Sequence, residues 1–320
     1  MNVMAGADMV QGEMPDAFEP SAAAAGVRTL SVAVIIASLG RPDLLNGMIE
    51  RMEAQTVAPG LLLFSTVSPQ DLPEDFVETE RVKAIFGPKG LTRQRNAAID
   101  YVGDSHDIIL FYDDDFVPSL QAVENTARFF AAHPDVVGAT GDVLADGINT
   151  TGISREDACR IVAERDARGD YPTGILAERY GLYGCNMAYR TAAIGDIRFD
   201  ERLRLYGWQE DIDFAAALLG RGRIVKTLAF AGVHQGSKHG RTPGLRLGYA
   251  QVINPLYLVR KGTMRRNYAI KLIARNMLAN HLRSFSPEPW VDRFGRAKGN
   301  WVGLLDAMRG RLTPERIEEL

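Results

Sequence analysis

The chain has 320 residues, 46% hydrophobic and 24% charged, with a net charge of −3, a composition that suits a globular protein with a substantial core. Its two cysteines, Cys159 and Cys185, exclude a disulfide framework and a CxxC metal motif, and they fit a reducing compartment. The slight acidity and the lack of a nucleic-acid motif argue against a nucleic-acid partner, and no run reaches the ~18 uncharged apolar residues of a membrane span.

Residues 1–28 hold Asp8, Glu13, Asp16, Glu19 and a run of alanines. Without a basic start they do not read as a signal peptide; they read as a flexible tail. The segment "SVAVIIA" (31–37) is short, apolar and β-branched, which predicts a buried strand. "RPDLLNGMIERMEAQ" follows, with Pro42 near its start and Leu45, Met48, Ile49 and Met52 at helical spacing. Strands are expected at "LLLFSTV" (61–67) and "VKAIF" (82–86), a helix at "LTRQRNAAIDYV" (91–102), and a strand at "DIILFY" (107–112). A helix capped by Ser119 is expected over "SLQAVENTARFFAAH" (119–133), then a strand at "DVVGATG" (135–141). This alternation predicts an α/β domain with a mostly parallel sheet flanked by helices. Ligands of such sheets bind beyond the carboxyl ends of the strands.

After Gly141 the alternation breaks. Residues 142–180 are polar and include a helical "REDACRIVAERDA", while "GLYGCNMAYR" (181–190) is Gly-rich and apolar. "WQEDIDFAAALLGRG" (208–222) predicts a helix opening with acids, and "RIVKTLAFAGVHQ" (223–235) a strand reaching His234. Residues 245–285 read as helical and basic. From Phe214 to Pro287 there is no Asp or Glu, against 13 Lys or Arg. Such a block serves as a solvated face, as a seat for an anionic substrate such as a diphosphate, or as a contact with an anionic membrane.

The stretch "HDIILFYDDDFVPSL" (106–120) carries Asp113, Asp114 and Asp115 at the end of an apolar strand. Three adjacent carboxylates repel one another unless something positive offsets them. Alternate side chains of an extended chain share a face, so Asp113 and Asp115 can converge. Oxygen ligands of this kind suit Mn2+ or Mg2+; the other reading is a polar turn that caps the next helix. In "YGWQEDIDF" (206–214), Glu210 and Asp211 are either first-turn acids facing the helix dipole or include a general base for a hydroxyl nucleophile. Trp208 is a platform for a sugar ring or a core residue. His234 is a structural histidine or a third metal ligand, with His239 as its rival. Arg95 and Asn96, near Lys89, Gly90 and Arg93, form a solvated helix face or contact phosphate or the aspartates.

The order of strand, "GRPDLL", strand, "GLTRQRNAAI", apolar strand with DDD, then "WQEDIDF" resembles the family 2 glycosyltransferases of GT-A fold over residues 31–235. The tail "KGNWVGLLDAMRGRL" (298–312) more loosely resembles exopolysaccharide members. The resemblance implies transfer of a sugar from a nucleoside-diphosphate sugar to an acceptor hydroxyl, with inversion, in polysaccharide or glycan biosynthesis. It implies Asp211 as catalytic base and Glu210 at the acceptor, beside Trp208. It implies Asp115 as ligand of Mn2+ or Mg2+, His234 as a late metal ligand that only some members have, and Asp113 on the ribose or the metal's water. Ser38, Arg41, Ser65, Arg95, Asn96 and Asp114 would complete the nucleotide-sugar site. The expected organisation is a tail at 1–28, a GT-A domain at 29–240 with a nucleotide-sugar half (29–141) and an acceptor half (142–240), and a helical basic extension at 241–320. The expected acceptor is a glycan or lipid-linked glycan, and the expected location is the cytoplasm or the inner face of the membrane.

Two departures stand out. The first loop reads Ala37-Ser38-Leu39-Gly40-Arg41 where the family usually reads like P-T-Y-N-R, and Ser65 stands where the family's second strand usually ends in a base-reading Asp. Two other classes fit parts of the pattern. "DDDFV" matches the D-x-D-x-V/T start of haloacid-dehalogenase-type phosphatases, with Asp113 as nucleophile and Thr140, Lys238 and Glu210/Asp211 imitating later motifs. That motif normally follows the first strand, whereas about three strands precede it here. The last class is a non-catalytic carbohydrate-binding protein.

Overall fold

The computed structural model describes residues 29–238 and 242–320, so the expected tail at 1–28 and His239 lie outside the described residues. The apolar run Val32–Ala37 forms β1, and β2 (Leu61–Thr66), β3 (Val82–Phe86) and β4 (Ile108–Asp113) run parallel to it in the order β3-β2-β1-β4. β1 and β4 lack the polar alternation of a half-solvated strand because both of their faces are covered. Helices α1 (Pro42–Glu53) and α2 (Leu91–Val102) make crossovers. Pro42 opens α1 at a position where a missing N–H forfeits no intrahelical bond. Leu45, Met48 and Met52 of α1 pack with Val34, Ile36 and Leu110 on one face of the sheet; Ala98 and Ile99 of α2 pack with Ile35 and Phe111 on the other.

The chain continues through β5 (Phe116–Pro118), α3 (Ala122–Ala132), β6 (Val136–Asp146), α4 (Arg155–Asp166), β7 (Ile175–Glu178), β8 (Asn186–Arg190), the one-turn α5 (Thr191–Ile194), α6 (Glu210–Leu218) and β9 (Arg223–His234). β8 lies antiparallel between β4 and β6, β9 runs parallel to β6, and β5 and β7 pair antiparallel with β9. The whole is an α/β fold whose parallel half is flanked by helices, as the alternation predicts.

One local expectation is corrected. Ser119 does not cap α3, which starts at Ala122. Pairing of Phe116–Pro118 with β9 keeps the chain extended, and the Ser119 N–H donates to the Ala231 carbonyl. The Ser119 hydroxyl accepts from the Gln121 N–H instead.

A helical layer follows: α7 (Gly244–Lys261), α8 (Arg266–Arg283), α9 (Arg293–Met308) and a closing 3-10 turn at Pro314–Glu319. Glycines let α7 and α9 meet backbone to backbone: a Cβ at Gly299 would lie 2.0 Å from the Leu245 carbonyl oxygen. Lys261 of α7 ties this layer to the sheet through Asp213 of α6 (2.6 Å) and Asp200 (2.8 Å). Among the described residues no helix is long and apolar enough to cross a membrane.

Candidate functional site

Three chain segments meet at the carboxyl edge of the parallel strands. β4 ends at Asp113, level with Ala37 at the end of β1. Asp114 and Asp115 form a turn, and Phe116 then pairs with His234 at the end of β9. That pairing folds His234 back over the aspartates. Its Nε2 lies 3.4 Å from Asp115 Oδ1 and 4.0 Å from Asp113 Oδ2. One potential ligand atom from each of Asp113, Asp115 and His234 falls within 4.8 Å of the others. Asp113 and Asp115 therefore converge as the strand argument requires.

The donor set fits a divalent cation. The two carboxylates suit Mn2+ or Mg2+, the imidazole favours the transition metal of the two, and a second contact orients the ring. Asp146, level with His234 across β6 and β9, holds His234 Nδ1 at 2.9 Å and leaves Nε2 facing the aspartates. The Tyr183 hydroxyl donates to the other Asp146 oxygen at 2.8 Å. A carboxylate behind a histidine in this way fixes the tautomer that a metal needs. Burial works to lower the His234 pKa, but hydrogen bonds and charge from Asp115 and Asp146 push it up to about 10. Burial works to raise Asp115; the His234 contacts and the Ser237 N–H (2.6 Å) outweigh it and hold this carboxyl below its usual range.

Asp114 points elsewhere. It accepts from the Ser38 hydroxyl at 2.7 Å and from Arg41 at 2.8 Å, so it pins the loop between β1 and α1. Burial lifts its pKa to about 6 against the pull of Arg41. The Ser65 hydroxyl is buried and donates to the Gln94 carbonyl (2.8 Å), and the structure does not bring it to the aspartates. Asp71, absent from the sequence reading, joins the two loops instead. It accepts from the N–H of Gly40 (2.7 Å) on one side and of Ser68 (2.9 Å) on the other. Gly40 has φ +64°, a left-handed conformation that glycine adopts without a Cβ penalty.

Arg95 is the link between the aspartates and α6. It is 1% exposed, and its guanidinium donates to Glu210 (2.5 Å), to Asp113 (3.1 Å) and to the Gly184 carbonyl (3.1 Å). The solvated-face alternative for Arg95 is thereby overturned. Asn96 diverges from it, because neighbouring residues on a helix point about 100° apart. Its side chain exchanges hydrogen bonds with Phe199 and donates to Glu201, fastening that segment to α2.

Glu210 and Asp211 open α6 after Gln209, a non-glycine residue at φ +74°. Burial pushes the Glu210 carboxyl up to about 8 against Arg95. Arg95 stays a cation in either state, since a guanidinium does not release its proton, and contact with its carboxylates raises it against the effect of burial. The second Glu210 oxygen is buried without a partner among the described residues. Asp211, half-buried, accepts from the N–H of Gly184 (3.0 Å) and of Ile212 (2.8 Å). Burial raises its pKa, and these two N–H groups work the other way. Trp208, half-buried, packs against the cluster of Tyr249 and Ile253 on α7 and accepts a bond from Asn254 at its carbonyl. The phosphatase pattern does not assemble. Thr140 donates to the Asn186 carbonyl within the sheet, and the Lys238 amine donates to the carbonyls of Gly147 and Ile148.

No family model matches the sequence, and no curated protein matches it. Solved structures do. Residues 1–349 of S. aureus TarS in complex with UDP-GlcNAc match with a TM-score of 0.50 at 16% identity, over 91% of each chain. The same fragment in complex with UDP gives a TM-score of 0.48 at 14% identity, over 91% of this chain and 90% of that one. At this identity the first match bears on the fold: the chain has a GT-A-type α/β architecture.

Proposed function

We propose that this protein is an inverting glycosyltransferase that moves a sugar from a nucleoside-diphosphate sugar to the hydroxyl of a glycan or lipid-linked glycan. One observation carries the reading: Arg95 joins the Asp113–Asp115–His234 cluster to the Glu210–Asp211 pair at one sheet edge. The TarS complex makes a UDP-sugar the first donor to try. Asp113, Asp115 and His234 would hold Mn2+ or Mg2+, which when bound would supply positive charge against the leaving diphosphate. Ser38, Arg41 and Asp114 shape the loop beneath the nucleotide. Asp211 is the general base. Two backbone N–H groups fix its carboxyl, and burial makes it more basic, so it takes the proton of the acceptor hydroxyl. The acceptor oxygen attacks the anomeric carbon from the face opposite the departing diphosphate, and holding both partners in line supplies the orientation term. Glu210 acts by anchoring Arg95 rather than by gripping the acceptor. In this reading 29–141 is the donor half, 142–240 the acceptor half and 241–320 a helical extension, in a cytoplasmic enzyme.

The test is Asp211→Asn. It should lower transfer about 10²–10⁴-fold while donor binding stays as it was. Full turnover in this variant would remove Asp211 from the base role.

A further inference from the structure

Helix α8 turns an apolar ridge to solvent. Ile270, Ala274, Leu278 and Leu282 stand four residues apart and so line one side of the helix. Ile270, Leu278 and Leu282 are each more than half exposed, and Phe285, just beyond the helix, is 91% exposed. Helix α9 does the same with Phe294, Trp301, Leu305 and Met308. The His281 ring of α8 meets Trp301 of α9 edge-on, with centroids 5.9 Å apart, which joins the two ridges into one surface. Single exposed apolar residues are ordinary, but a continuous patch marks an interaction site. Nor is the ridge a core face turned outward by chance. The opposite side of α8 is anchored by buried Asn280, which donates to Gln251 of α7 and Asn300 of α9.

The charge around the ridge is mostly of one sign; the exposed acid Asp292, next to Phe294, is engaged in capping α9 through the Gly295 N–H. Arg266, Lys271 and Arg275 on α8 and Lys298 on α9 border it, and α8 contains no acid. Nearby Glu288 is occupied by Arg283 and Arg293. A second copy of the chain packed on this face would set cation against cation. An apolar ridge rimmed by Lys and Arg instead matches acyl chains beneath anionic headgroups. We infer that the α8–α9 face docks the protein on an anionic lipid surface. This inference stands apart from the chemistry proposed at the sheet edge.

The experiment is co-sedimentation of the full chain with vesicles of phosphatidylcholine, with and without phosphatidylglycerol. The face predicts binding that requires phosphatidylglycerol. It also predicts that Leu278→Glu with Leu282→Glu, and separately Lys271→Glu with Arg275→Glu, weaken partitioning at least ~10-fold. All four positions are on the surface, and an unchanged melting temperature verifies the fold of each variant. Three results would overturn the inference: no preference for the anionic vesicles, binding that survives the two leucine substitutions, or sedimentation as an oligomer that those substitutions convert to a monomer.

Discussion

Replacing Arg95 by Met keeps an unbranched apolar stem out to the level of Nε and removes the guanidinium and its charge. Three acceptors then lose a donor: Glu210 at 2.5 Å, Asp113 at 3.1 Å and the Gly184 carbonyl at 3.1 Å. Glu210 dominates, because it is 5% exposed and its other oxygen already lacks a partner. Asp113 is 29% exposed in its side chain, so water takes over part of that contact. Breaking one side of a buried pair costs about 3–5 kcal/mol. Above about pH 8, where Glu210 is ionised beside Arg95, Arg95→Met should lose up to that much in urea unfolding, and Arg95→Met with Glu210→Gln should recover about 2 kcal/mol or more, since no buried charge is left alone. The pH dependence has a definite sign. Burial already lifts Glu210 to about 8 with Arg95 present, and removing the cation lifts it further. The folded form of the variant then binds a proton that the unfolded form releases above about pH 4.5. Both proteins therefore lose stability as pH rises from about 4.5 toward 8; above about 8, where the parent's Glu210 ionises beside Arg95, Arg95→Met goes on falling, so its deficit grows through that range and is smallest at lower pH. A loss below about 1 kcal/mol, or a double variant no more stable than Arg95→Met, would refute the buried-pair argument.

Two further outcomes concern the metal. With His234 raised to about 10 before metal binds, Mn2+ must displace its proton. Calorimetry at pH 8 in buffers of different ionisation enthalpy should report about one proton released per ion, and affinity should rise about tenfold per pH unit below 10; a pH-independent affinity would contradict this. Asp146→Asn removes the carboxylate behind the ring, so Mn2+ should bind about 10–100-fold more weakly with the fold intact. An unchanged affinity would show that the ring is oriented by something else.

The parallel half was legible because its strands are apolar runs bounded by Gly, Pro and Ser, and α1 and α2 repeat at helical spacing. β5 was not: three residues, Phe116–Pro118, are too short for a period to emerge, and only their pairing with β9 defines them. β8 was hidden in a Gly-rich stretch whose extended form depends on β4 and β6 on either side. Within the site, the DDD, ED and His234 segments were visible as polar residues ending or opening apolar elements. Their meeting point was not, since it depends on β9 running far enough to face Phe116. Asp146 closes an 11-residue strand, and nothing nearby in the sequence signals that β6–β9 register sets it against His234. Arg95 and Asn96 look alike as a pair of polar neighbours, yet helical geometry sends one to the aspartates and the other to Phe199. The packing of Trp208 was hidden for a related reason: α7, which arrives 36 or more residues later, supplies the cluster against which one side of it rests.

Titration calorimetry of UDP, GDP, CDP, ADP and dTDP into the full chain, with and without Mn2+, puts the central claim at risk most directly. The account predicts that at least one of them binds ~10-fold or more tightly with the ion, and that Asp115→Asn abolishes the gain while leaving the fold intact. Binding of all five that is indifferent to the ion, or a metal effect that persists in Asp115→Asn, would contradict it.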